Sequence, residues 1–437
     1  MVGRAVERRA NGVSALQGRN QLLICAGLRV TRVTLRAFGG LKGAALSLTP
    51  KEIPRMRSLI RLIAASATLA CVFGASAAAA SADPDFAPGF GGGLDRTVFV
   101  QTDNLAGNQI VAYDRSANGT LTQAGVYDTG GLGGQLTGSV VDHTASQGSL
   151  VYDRSQGVLY AVNAGSNTVS VFAVRGDRLL LTQVISSGGS FPASIAVERN
   201  LVYVLNAEGA GSVQGYYSLF GHLVALPGSN RSLGLTPVTG PNQFVSTPGQ
   251  VAFAPGGHQL IVTTKANGSD IDVFRVGALG ELSPTPVVNS EPGAVPFAIT
   301  FDPTGDLVIA EAGTDALASF TLNPSGTLAP LATAGTGAAA TCWVAPAGGL
   351  LYASNAGSAT VSAFQPGSAG SLALLGATQT DGGTVDASAS SDGRDLYVQT
   401  GLAGIVDEFS IGSGGALTEV GSVTVPGAVG GEGIVAS

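Results

Sequence analysis

An all-β, seven-bladed propeller is the fold class that this 437-residue chain predicts, and three observations carry it. Seven segments repeat one pattern, an apolar run closing on a small polar or charged residue: Val98 to Thr102, Leu159 to Asn163, Val202 to Asn206, Ile261 to Lys265, Leu307 to Glu311, Leu351 to Asn355 and Leu396 to Thr400. Their last residues are 43 to 61 positions apart, the period of a four-stranded blade. Each is followed by a second run with one aromatic slot, filled by Tyr113, Phe172, Tyr216, Phe274, Phe320, Phe364 and Phe409. Finally, Glu432 to Ser437 reads as an innermost strand with no successor, while the strand at Val98 has no predecessor.

The elements follow in a fixed order. Innermost strands are expected at Gly148 to Asp153, Ala193 to Glu198, Gln250 to Ala254, Phe297 to Asp302, Thr341 to Ala345, Asp386 to Ser390 and the C-terminal segment. Alternation of apolar with small or polar residues along them suits sheets packed face to face. After each second strand comes a Gly/Ser/Asn turn, then the third strand, whose ring is placed to pack between blades. Asn118-Gly119, Gly176-Asp177 and Gly412 to Gly415 supply hairpin chemistry before the fourth strand. The two unmatched halves complete one blade, so the C-terminal strand is expected to pair with the N-terminal blade and remove an open edge.

Length alone would suggest two or three domains, but the repeat makes residues 95–437 one. Ahead of it, Met56 to Arg61 is basic, Leu62 to Gly74 apolar, and Ala80-Ser81-Ala82 a small-x-small cleavage site. Residues 56–82 therefore read as a secretory signal peptide, 83–94 as a linker, and 1–55 as an upstream extension from a mis-placed start. A lipoprotein signal ending at Cys71 is the alternative; a permanent membrane anchor is disfavoured because the run is short. Residues 83–437 hold ten Lys/Arg against twenty-seven Asp/Glu, a balance that repels nucleic acid and anionic membranes. Cys342 is the only cysteine there, so no intrachain disulfide is expected, and beside Trp343 it reads as a small packing residue.

Chemistry is sought at the channel mouth, where second strands end and inner strands begin. The slot closing the second strands is neutral in five blades, including Asn163, Asn206 and Asn355, but reads Lys265 and Glu311 in two neighbouring ones. Either a polarising ammonium sits beside a carboxylate base, or an inter-blade ion pair replaces an Asn. Lys265, Glu311 and Glu208 are thus the candidate catalytic residues. Asn163, Asn206, Gln250, Asn355, Asp386, Glu432, Arg231 and His143 are candidate substrate-binding residues, Asp103 facing the same mouth. Arg231 lies in an insertion placed to form a lid, or simply a longer edge. No zinc spacing, Asp-x-Asp loop or glycine-rich phosphate loop occurs, so neither metal nor cofactor is expected.

The segments Leu159 to Phe172 (LYAVNAGSNTVSVF) and Leu351 to Phe364 (LYASNAGSATVSAF) look like YVTN-type repeats, and with Pro296 to Pro303 (PFAITFDP) they resemble the β-propeller lactonase family over residues 95–437. The resemblance implies a 6-phosphogluconolactonase or carboxymuconate-cyclase-like scaffold. Family enzymes place Arg, His and Glu in the mouth, often in a Gly-Pro-Arg-His stretch; Ser190 to Ala193, Thr247 to Gln250 and Val295 to Phe297 hold neither Arg nor His, so no catalytic residue carries over by position. Two functions follow: an exported, monomeric hydrolase of a small-molecule lactone, secreted or periplasmic, or a non-catalytic extracytoplasmic binding propeller.

Overall fold

A computed structural model describes residues 96–437; the expectations for 1–55, 56–82 and 83–94 lie outside the described residues. The described residues form seven antiparallel sheets. Six are built from consecutive strands, as in blade 2, where Leu150–Asp153, Val158–Asn163, Thr168–Arg175 and Arg178–Ser186 run from inside to outside. The remaining sheet takes its inner strand from Ile434–Ala436, which pairs with Thr97–Gln101 in the register Val98 to Ala436, Phe99 to Val435 and Val100 to Ile434.

The aromatic slots behave as their periodicity predicts. All seven rings are 2 % exposed or less. Phe172 packs with Phe99 and Ile110 of blade 1, Phe274 with Tyr203 of blade 3, and Tyr113 with Tyr397 and Val406 of blade 7. Each ring thus leans on the preceding blade, and the contact between blades 7 and 1 is made like the others.

Two departures from the expected strands bear on the mouth. In blade 4 the second strand ends at Thr263, two residues before Lys265, because the chain turns there into the left-handed region, with Lys265 at φ 53°. The insertion of blade 3 first extends the outermost strand, Arg231–Ser232 pairing with Ser212 and Val213. It then crosses to the mouth and forms a single helical turn, Gln243–Ser246. Among the described residues no helix is long and apolar enough to cross a membrane.

Candidate functional site

The connection between blades 1 and 2, residues 129–149, fills the mouth. Its anchors come from several sides of the ring: His143 N donates to Gly430 O (2.8 Å), Ser146 Oγ to Ala193 O (2.8 Å), and Gln147 N to Gly249 O (3.1 Å). Gln147 also grips blade 6, Nε2 donating to Val344 O (2.9 Å) and Oε1 accepting from Val344 N (3.0 Å). The Trp343 indole donates to Ser146 O at 2.7 Å. This one connection therefore reaches across the axis to several other blades.

Beneath this cover lies a chamber of about 220 Å³. Its walls are mostly apolar and include Val141, Val245, Val295, Phe297 and Trp343. Phe297 and Trp343 meet edge to face, with ring centres 5.0 Å apart. Val295 and Lys265 both hold positive φ, 52° and 53°. For a β-branched residue such backbone is costly, and such strain collects at functional sites.

Lys265 enters the chamber wall almost fully buried. Its Nζ donates to Ala145 O and to Phe244 O, each at about 2.5 to 2.6 Å, and lies 5.2 Å from the centre of the Phe297 ring. Burial drives its ammonium well below the usual lysine range, opposed in part by the nearby Asp142 carboxylate. Asp142 shares the chamber. Its Oδ1 accepts from Thr144 N, Thr144 Oγ1 and Ala145 N at 2.8 to 2.9 Å, and its Oδ2 from Ser146 N at 2.9 Å. Burial raises this carboxyl above its ordinary value even against those four donors. The third ionisable wall group, Cys342, is pushed up to about 12 by burial and stays a neutral thiol.

A second polar cluster sits beside the chamber, where the C-terminal segment meets blades 1, 2 and 7. Glu432 N donates to Asp103 Oδ2 (2.9 Å), Gly148 N to Glu432 Oε1 (3.0 Å), Thr144 Oγ1 to Glu432 Oε2 (3.4 Å) and Ile434 N to Asp386 Oδ2 (3.4 Å). All three carboxyls are buried, and burial pushes Asp103 up to about 7. Asp386 and Glu432 rise as well, Glu432 also because Asp386 and Asp142 are close. Among the described residues no group of three or more His, Cys, Asp or Glu side chains is arranged to hold a metal ion.

Lys265 lines the chamber and Asp386, Glu432, Asp103 and His143 lie in or beside the neighbouring cluster, whereas the side chains of the other candidates are not on the chamber wall. No ion pair joins Lys265 to Glu311 among the described residues; Glu311 Oε2 accepts from Thr314 Oγ1 at 2.8 Å instead. Glu208 is exposed on the rim, where Gln243 Nε2 donates to it. Arg231 sits on the outermost strand, its guanidinium donating to Ser283 O and Leu282 O; the mouth side of the insertion is covered by Phe244 and Val245 rather than by Arg231. Asn163 and Asn355 tie their own blades together, each donating from Nδ2 to third-strand side chains: Thr168 and Ser170, and Thr360 and Ser362. Asn206 donates to Ser187 O, and Gln250 Oε1 accepts from Ile299 N of the next blade. The burial of His143 lowers its pKa.

Asp142 and the apolar walls were missed by the sequence reading. The one signal for them was the unusual length of the stretch before Gly148.

No family model and no curated protein matches this sequence. Solved structures do. The periplasmic gluconolactonase of Pseudomonas aeruginosa aligns with a TM-score of 0.62 at 18% identity, covering 78% of this chain and 98% of that one. Proteins classed provisionally as 6-phosphogluconolactonases, from Bacteroides uniformis and Bacteroides fragilis, align with TM-scores of 0.60 and 0.59, both at 18% identity, over 78% and 77% of this chain and 99% and 97% of theirs. At such identities the likeness is one of architecture: this chain has the seven-bladed propeller fold seen in those lactonase structures.

Proposed function

We propose that this chain is an exported, monomeric propeller hydrolase that opens lactone rings in the chamber under the mouth, its ring held shut by the C-terminal strand. The observation that carries the reading is that an ammonium, Lys265, and a carboxylate, Asp142, share the wall of a mostly apolar cavity without forming a direct ion pair. The gluconolactonase activity named for one structural neighbour agrees with it.

In this mechanism Asp142 takes a proton from water through Oδ2, which accepts one hydrogen bond where Oδ1 accepts three. The water oxygen adds to the lactone carbonyl carbon. Two Lys265 N–H groups are held by Ala145 O and Phe244 O, and the third stabilises the new oxyanion. Collapse breaks the ring C–O bond, the ring oxygen takes up the proton that Asp142 removed from water, and a hydroxy acid leaves. A low-dielectric wall strengthens both interactions. His143, Asp386 and Glu432 contribute by shaping the mouth around the substrate; Glu311 and Glu208 are the competing assignments for the base.

Turnover of a lactone panel by the protein and by Lys265→Ala, Asp142→Asn, Glu311→Ala and Glu208→Ala tests this. Losing the oxyanion donor is expected to lower kcat by roughly 100- to 1,000-fold. Loss in Glu311→Ala alone moves the base to Glu311. Equal rates in all five proteins remove Lys265, Asp142, Glu311 and Glu208 from the chemistry.

A second reading has its own support. Among the described residues no Arg or His reaches the chamber wall, and the two carbonyls already hold Lys265, so the cavity also suits a propeller that binds a small molecule without transforming it. Ligand binding without turnover in the same panel selects that reading.

A further inference from the structure

The chamber walls have a composition that a sugar-like ligand does not match. The side chains able to hydrogen-bond from them are Ser139, Asp142, Lys265, Cys342 and Trp343, whose indole N–H is taken by Ser146 O. Ser139 Oγ is already spent on Asp142 O, and Asp142 Oδ1 on three donors of its own loop, which leaves one further acceptor position on Oδ2. What remains can meet one carbonyl and one water or hydroxyl, not a ring of hydroxyls. Each hydroxyl buried without a partner lowers affinity by roughly tenfold. Against this, each methylene buried on Val141, Val245, Val295, Phe297 or Trp343 raises it by roughly fourfold.

The lip of the chamber continues the same chemistry. Val140, on its wall, is 67% exposed, and Leu402, on the turn of blade 7, is 53% exposed. Leu402 and Val141 both come against Gly383, which places the exposed leucine beside the chamber wall. At about 220 Å³ the cavity is smaller than the roughly 300 Å³ at which drug-sized pockets begin, so it suits a small ring with a short chain, any further carbons running out over the lip.

Resting on the hydrolase reading for its reaction, we propose that the chamber selects lactones with a plain alkyl chain and rejects polyhydroxylated sugar lactones. The carbonyl faces Lys265 and the chain lies between Val295, Phe297 and Trp343.

Trp343 is the single tryptophan of the sequence and stands on the wall, so its emission reports occupancy without any turnover. The full chain is titrated with γ-butyrolactone, γ-hexalactone, γ-octalactone and glucono-δ-lactone, and ring opening of each is followed separately. Affinity is expected to tighten by roughly fourfold per methylene along the alkyl series until the chamber is full, with gluconolactone at least ~100-fold weaker than octalactone. Ala312→Phe and Ala356→Leu, each filling the chamber from a different blade, are expected to abolish the response; circular dichroism checks each fold. Gluconolactone binding as tightly as octalactone, or emission unmoved by every alkyl lactone, overturns the selection. Alkyl lactones that bind but stay closed leave the selection standing and remove the hydrolase. Gluconolactone opened while alkyl lactones neither bind nor react does the reverse.

Discussion

Lys265 donates to two backbone carbonyls inside a wall that offers it little water, and Asp142 lies close enough to oppose its loss of charge. The proposed chemistry needs Lys265 protonated and Asp142 ionised. Burial raises the carboxyl and lowers the ammonium, so the two limbs of the pH–rate profile move toward each other. The expected profile is a narrow bell near neutrality. Lys265→Arg keeps its charge to far higher pH, so its alkaline limb should disappear within the accessible range even if the rate drops. An alkaline limb unchanged in Lys265→Arg would assign it to another group. Lys265 was legible as the residue that breaks the Asn/Thr pattern of its slot. Asp142 was not, because a carboxylate in a connection without a repeat has nothing to be compared with.

At the scale of strands, the tyrosines of four second strands stitch their blades to the next. Tyr160 donates to Ser218 Oγ (2.8 Å), Tyr203 to Gly280 O (2.7 Å), Tyr352 to Gly415 O (3.1 Å) and Tyr397 to Gly119 O (2.7 Å). The last of these crosses the seam between blades 7 and 1, where Arg115 also meets Asp395 at 2.7 Å with both side chains buried. Tyr397→Phe should cost about 0.5–1.5 kcal/mol in denaturant unfolding, as should Tyr352→Phe, if the seam is an ordinary blade contact. A much larger loss at Tyr397 would mark the seam as the weak point of the ring. Deleting residues 432–437 is a harsher test: it removes the inner partner of Thr97–Gln101 and bares an apolar edge, so the truncated chain should aggregate in gel filtration where the full chain does not. Strands and seam were readable because each blade repeats the same pattern. The route of residues 233–249 was not, since a Gly/Pro-rich insertion carries no period; only the structure brings Phe244 O to Lys265.

Over the whole molecule, buried carboxyls set the pH at which the ring is most stable. Burial lifts Asp103 and Asp272 to about 7 from an ordinary value of 3.8, and raises Asp386 and Glu432 too. Between those values the folded chain holds protons that the unfolded chain has released, so stability is full below about pH 4 for these groups and is lost as pH climbs through about 7. Lys265 works the other way: with its folded value lowered from 10.5, it restores some stability only on the alkaline side. Several acids outweigh one amine, and Tm should fall from pH 5 to pH 8. Asp272 lies on a third strand away from the mouth, within hydrogen-bond register of Val262 and Val288. Asp272→Asn should therefore recover more stability at pH 8 than at pH 5, the difference being on the order of 3 kcal/mol, with no change in ligand binding. A Tm that is flat or rising across this range would mean that these carboxyls are ionised in the fold at neutral pH. In that case the mouth would be an anionic surface, and a lactone's carbonyl would meet repulsion there before it reached Lys265.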